Sequence, residues 1–191
     1  MTVASQIGDP PSVGGHDGGG RDLWFIEPMP KGLIDSPLDF IFAEHHRQRE
    51  AAVILSMIAD GEFNRAGIEG LIEFLQTDFA LHVGDEEIIL FPALKVYCQS
   101  DDHVERIIER LVDEHKENES SCDEAVAILR KRLTETELAP DEFRKLRRFS
   151  DHIRQHLALE NGVLLPIARV RLDTNALQDI AESLKQRRIA R

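Results

Sequence analysis

The stretch His82-Val83-Gly84-Asp85-Glu86-Glu87-Ile88-Ile89-Leu90-Phe91-Pro92 has a second copy in His156-Leu157-Ala158-Leu159-Glu160-Asn161-Gly162-Val163-Leu164-Leu165-Pro166. Each copy has a His, a Glu four residues on, and a proline six residues after that Glu. Upstream of the first copy, Ile68, Ile72, Leu75 and Phe79 recur at three-four spacing, and the series continues through His82, Glu86 and Ile89. Upstream of the second, Leu146, Phe149 and Ile153 lead to His156 and Glu160, then to Val163 and Ile167. Residues at that spacing share one face of an α-helix, so each His and Glu points where the apolar side chains point, into a core. A single such residue is ordinarily a surface or structural one. Two pairs at equal spacing on two core faces make an internal repeat of helical hairpins with a polar centre.

The remaining helices follow from their boundaries. Ser36-Pro37 with Asp39 predicts a start with Ser36 as N-cap, and Asp60-Gly61 a stop after about Ala59. The second helix is expected to run until Phe91-Pro92 interrupts it. Ser100-Asp101-Asp102 is expected to cap a third helix with the stripe Ile108, Val112, His115, Glu119, Cys122, Val126, Leu129 and Leu133. Ala139-Pro140-Asp141 opens the fourth, and a shorter amphipathic helix begins near Asn175. Its basic end, Lys185, Arg187, Arg188 and Arg191, suits a helix C-terminus and reads as solvated. The expected fold class is all-α: an antiparallel up-down four-helix bundle over residues 36–170, with an N-terminal arm (1–35) and a C-terminal helix (171–191). Residues 8–20, rich in Gly and Pro, read as flexible, and Leu23-Trp24-Phe25-Ile26 as extended against the bundle.

Bulk properties exclude several classes of function. At 191 residues and 42% hydrophobic the chain suits one domain with a real core. A net charge of -12 argues against binding a phosphate backbone, so no nucleic-acid partner is expected. Cys98 and Cys122 are far apart and form neither a disulfide framework nor a thiolate zinc motif. No stretch looks like a targeting or membrane-spanning segment, which makes a cytoplasmic location and no membrane partner the expectation.

The first helix of each hairpin adds a His after an acid, Glu44-His45 and Glu114-His115, so every helix of the bundle contributes an imidazole. His46, with Glu50 four residues on, is the inward residue if the register of the first helix is one residue off. The candidate metal ligands are therefore His45, His82, Glu86, His115, His156 and Glu160. On one helix face a His can bind one ion while the Glu one turn along reaches a second, so two Glu from different helices can bridge two ions. A buried carboxylate without a cation would cost roughly several kcal/mol, and uncompensated buried imidazoles would add to that. A nitrogen and oxygen donor set without thiolate favours iron, with manganese or zinc as substitutes. Coordination left open by these six residues would take water, hydroxide or a small diatomic molecule. Glu119 and His152 are candidate additional ligands or supporting residues. Asp85 and Glu87 read as solvated or supporting, and His16 and His103 as arm and cap residues.

From Leu38 to Ala168 the chain resembles the hemerythrin-like family, the HHE cation-binding domains. The resemblance rests on His45, His82-x-x-x-Glu86, His115 and His156-x-x-x-Glu160, with Glu87 and the Phe91-Pro92 and Leu165-Pro166 endings. It implies a di-iron centre, oxo- or hydroxo- and carboxylate-bridged, that carries oxygen in some members. In others it senses oxygen, iron or redox state, or handles nitric oxide or peroxide. The chain departs from the oxygen carriers. They place a His pair on the third helix and a widely spaced His and Asp on the fourth, where this chain has His115 with Glu119 and His156 with Glu160. A more anionic site favours ferric iron, which argues against simple reversible carriage. The expectation is a binding or sensing protein for a small diatomic ligand or peroxide. The alternatives are a peroxide-consuming enzyme or an iron-responsive module that meets a protein partner through its arm or basic tail. The other di-iron bundle type, ferritin-like, needs E-x-x-H pairs, and none occurs here.

Overall fold

The computed structural model describes residues 23–135 and 137–189, and within them the chain is all-α with no strand. The expected flexible segment 8–20, His16 and Arg191 lie outside the described residues. Among the described residues there are five long helices: α1, Pro37–Ala59; α2, residues 65–97; α3, Val104–Thr134; α4, residues 140–171; and α5, Thr174–Ile189. No helix among the described residues is long and apolar enough to cross a membrane.

Local chemistry sets the helix ends, and not always as the residue types suggested. α1 starts at Pro37, but the Ser36 side chain makes no capping bond, so proline's fixed φ is the start signal there. α1 stops where Gly61 takes φ 90°. Asn64 caps α2, its Oδ1 accepting from Gly67 N at 2.9 Å. Ser100–Asp102 does not cap α3 directly. It forms a separate 3₁₀ turn, and α3 begins after His103, which adopts left-handed φ 52°. The Asp102 carboxylate is held instead by Gln99 N at 2.7 Å and by Arg171 at 2.7 and 2.8 Å, tying that turn to the end of α4. α4 opens with Pro140 in its first turn, and Glu142 accepts from Ala139 N at 2.7 Å.

The prolines do not interrupt their helices. In both repeats the motif Glu begins a five-residue π-helical segment, Glu86–Leu90 and Glu160–Leu164, and the helix then continues through Pro92 and Pro166. The wider turn comes immediately before a residue that has no N–H and would crowd the preceding turn of an α-helix. It also advances the inward face by one residue. The expected inward Val163 is 38% exposed while Leu164, Leu165 and Ala168 are buried; likewise Leu90, Phe91 and Leu94 are buried where Ile89 was expected.

Opposite ends of neighbouring helices are tied together. Arg147, near the start of α4, binds Ser56 and Asp60 at the end of α1, and Arg169, near the end of α4, binds Asp39 at 2.6 Å. Arg65 at the start of α2 donates to the Leu133 carbonyl at the end of α3, 3.0 Å. Two apolar clusters result. One contains Ile54, Leu55, Leu71, Phe74, Leu129 and Phe149, with Trp24 and Ile26 of the N-terminal segment packed on it. The other contains Phe40, Phe91, Leu94, Ile108 and Leu165, and α5 adds Ile180 and Leu184 to it. The buried His and Glu side chains belong to neither cluster.

Candidate metal centre

All six sequence-derived candidates are buried and meet in one place. They form two overlapping groups, His45, His82, Glu86 and Glu160, and His115, His156, Glu86 and Glu160. Within each group the donor atoms lie within 4.8 Å of one another, and both carboxylates belong to both groups. Glu86 Oε1 lies 3.3 Å from His45 Nε2, and its Oε2 lies 3.4 Å from both His82 Nε2 and His115 Nε2. Glu160 Oε2 lies 3.3 Å from His45 Nε2, and Oε1 lies 3.1 Å from His156 Nε2. One carboxylate from α2 and one from α4 thus each span the two histidine sets.

The outward ring nitrogens determine what the inward ones offer. His115 Nδ1 donates to Glu87 Oε1 and His156 Nδ1 to Glu114 Oε2, both at 2.8 Å. His45 Nδ1 lies 2.9 Å from Asn161 Oδ1, and the Asn161 amide is oriented by its own Nδ2–H donating to the Leu157 carbonyl at 2.9 Å. Acceptors at Nδ1 place the proton there, so in the neutral imidazole Nε2 presents a lone pair to the centre. His115 Nε2 and His156 Nε2 face each other at 3.1 Å. Two lone pairs at that distance repel unless a cation lies between them or one nitrogen takes a proton.

Electrostatics carry the same message. Glu86 Oε2, both oxygens of Glu160 and His82 Nε2 are buried without a hydrogen-bond partner. Burial and the neighbouring Glu86 carboxylate push the Glu160 carboxyl up. Burial works against Glu86 too, but the surrounding imidazoles outweigh it and hold that carboxyl well below its usual range. Burial also opposes charge on His156, yet Glu160 raises it to about 9, while burial drives His82 down to about 3. Without a cation, protons must do the neutralising. Orphaned acceptors, inward lone pairs and shared carboxylates are what a pair of cations would satisfy, so the residues fit a metal centre.

The structure separates the alternatives left open by the sequence. His45 is the inward residue of α1, fully buried; His46 is exposed and lies 3.5 Å from Glu50. Glu119 is exposed and Asn118 takes the inward position, which removes Glu119 as a ligand. His152 is outside the ligand groups; with Glu114, Glu117, Asn118, Gln155 and His156 it lines a cavity of about 100 Å³. Glu87 supports His115. Asp85 is not solvated: it is buried, and Arg187 Nε and Arg188 Nη2 hold its two oxygens at 2.6 and 2.7 Å. The basic end of α5 is accordingly docked beside the motif. Lys185 pairs with Asp35 at 2.6 Å, and Arg188 lies over the Phe40 ring at 4.5 Å. A Cβ on Gly84 would collide with Arg187, so the glycine permits this approach.

Sequence reasoning missed Asn161 and the roles of Glu114, Arg187 and Arg188. A signal existed for the first: Asn161 follows its motif Glu as Glu87 follows the other. A family model described as "Hemerythrin HHE cation binding domain" matches residues 36–168. No curated protein matches the chain.

Proposed function

The chain belongs to the hemerythrin HHE cation-binding domain family, and from that premise we propose that it holds two iron ions and binds or senses dioxygen, nitric oxide or peroxide. The observation that carries this reading is the sharing of Glu86 and Glu160 between two histidine sets. Bound iron would supply open coordination positions and a change of oxidation state. The chain's own residues do the rest. Glu86 and Glu160 would bridge; His45 and His82 would hold one ion, and His115 and His156 the other. Glu87, Glu114 and Asn161 keep the Nδ1 protons in place so that the Nε2 lone pairs stay aimed inward. The Phe91 ring stacks on His115 at 5.8 Å between centroids, closing that side to water. The cavity bordered by Asn118 and His156 gives a small molecule a route between α3 and α4.

The test is anaerobic loading with ferrous iron, metal analysis, and absorption spectra on adding dioxygen, nitric oxide or peroxide. Two irons per chain and a spectral change with at least one ligand are expected; stoichiometric iron with no response to any of them would end the reading. Repeated peroxide turnover that disappears in Glu160→Ala would make the protein an enzyme rather than a sensor.

A second reading, an iron-responsive module, is favoured by one observation. Asp85, bound by both arginines of α5, is the residue immediately before Glu86. Iron at Glu86 would then fix the position of α5, and losing iron would loosen it. Limited proteolysis of α5 should be slowed by iron and restored by chelation; equal cleavage in both states would count against it.

A further inference from the structure

Two buried amides have no part in the ligand set. Gln48 is 3% exposed and Asn118 4%. Gln48 stands three residues after His45, and Asn118 three after His115, so the amides occupy the same place in the two hairpins. Three residues is about one helical turn, which puts each amide on the inward face directly beside a ligand histidine. Asn118 borders the cavity that reaches His156. Gln48 Nε2 is buried with no hydrogen-bond partner.

That orphan differs in kind from those of the candidate ligands. The partnerless oxygens of Glu86 and Glu160 are acceptors that a cation would satisfy. An amide nitrogen only donates, and no metal ion can satisfy it. What it can satisfy is a ligand carrying lone pairs. A buried donor left unmet destabilises the fold, so one retained beside a binding centre is best explained by a group that arrives with the ligand. We propose that Gln48 is a positioning residue: its Nε2–H donates a hydrogen bond to a small anionic or oxygen-bearing molecule held at the metal centre. Charge on such a molecule strengthens the bond, so Gln48 selects for anionic ligands over neutral ones of equal size. Asn118 marks the side from which the molecule enters.

This inference rests on the di-iron reading, and azide, a small anion, serves as the probe in the full-length iron-loaded protein. Gln48→Met keeps the length of the side chain and removes the donor. It is expected to retain the iron stoichiometry of the unmodified protein, to raise Tm of the metal-free protein, and to bind azide about tenfold to hundredfold more weakly. In the unmodified protein the infrared azide stretch should shift on transfer to D₂O, and Gln48→Met should abolish the shift. Equal azide affinity in the two proteins, loss of iron from Gln48→Met, or no D₂O shift in the unmodified protein would each overturn the assignment. The first and third would leave the di-iron reading standing. An iron-loaded unmodified protein that shows no azide band at all would overturn the assignment of Gln48, and the di-iron reading would still be decided by its own test with dioxygen, nitric oxide and peroxide. Should Gln48→Met fail to fold, the D₂O measurement on the unmodified protein still decides.

Discussion

The two copies of the motif, residues 82–92 and 156–166, build the same cage and support it differently. In each, a His and a Glu face inward and the Glu opens a π-helical turn ahead of a proline. The residue after the Glu reaches across to the other hairpin: Glu87 to His115, Asn161 to His45. One support is a carboxylate and the other a neutral amide. The acid before the first-helix His also differs. Glu114 accepts from His156, whereas Glu44 is engaged by Arg47 at 3.1 Å. The histidine pair His115 and His156 is therefore backed by two carboxylates, and His45 by an amide. A carboxylate at Nδ1 makes an imidazole a stronger donor at Nε2. A set of candidate ligands that is symmetric in identity thus forms two donor groups with unequal support. The copies differ on their outer faces as well, where Asp85 of the first takes the α5 arginines and the matching residue of the second is Leu159.

The largest effect is expected where the copies agree. Glu86→Ala or Glu160→Ala removes a carboxylate common to both positions, and each should lower iron from two per chain to one or none by metal analysis. Next comes the outer-face difference. Replacing Arg187 and Arg188 together by Ala leaves the buried Asp85 unpaired, and breaking a buried pair by removing the partner costs about 3 kcal/mol, somewhat less here because both arginines are partly solvated. Chemical denaturation should show that loss, and Asp85→Asn in the same background should recover much of it.

The inequality of the two positions is tested by changing one support at a time. Glu87→Gln or Glu114→Gln should weaken binding of one metal equivalent about tenfold to hundredfold and spare the other. Asn161→Asp should strengthen the second equivalent and narrow the gap; identical shifts in both equivalents would show the positions to be equal. A change of comparable size, spread over about two pH units and so smallest per step, concerns protons. His156, raised to about 9 in the metal-free chain, must release its proton to coordinate. Metal affinity should then rise by about tenfold per pH unit per proton from pH 7 toward 9 and level off above it. Affinity independent of pH over that interval would contradict the assignment.

The helices, the inward His and Glu residues and the hairpin repeat were legible because helical periodicity reports which face is buried. The register beyond each motif was not legible. A π turn adds a residue that three-four spacing cannot anticipate, so Val163 was expected inside and Leu164 takes its place. Pro92, read as a stop, instead follows a wide turn that accommodates it, as Pro166 does in the other copy. His45 and His46 could not be separated by pattern alone, since ladders through either were nearly equal, and burial in three dimensions decides for His45. Glu119 failed for a related reason: the α3 stripe is broad enough that Asn118 and Glu119 both fit it. The docking of α5 was illegible because a basic helix end is ordinarily solvated, and only the tertiary fold shows Asp85 waiting beneath it. The supporting contacts of Asn161 and Glu114 join residues 116 and 42 positions apart, beyond the reach of local spacing.

Iron-edge anomalous diffraction from crystals of the iron-loaded protein is the most direct measurement. Two separate peaks are expected, one flanked by His45 and His82 and one by His115 and His156, with Glu86 and Glu160 touching both. A single peak, peaks elsewhere in the bundle, or none at the centre of an iron-loaded crystal would contradict a shared-carboxylate pair.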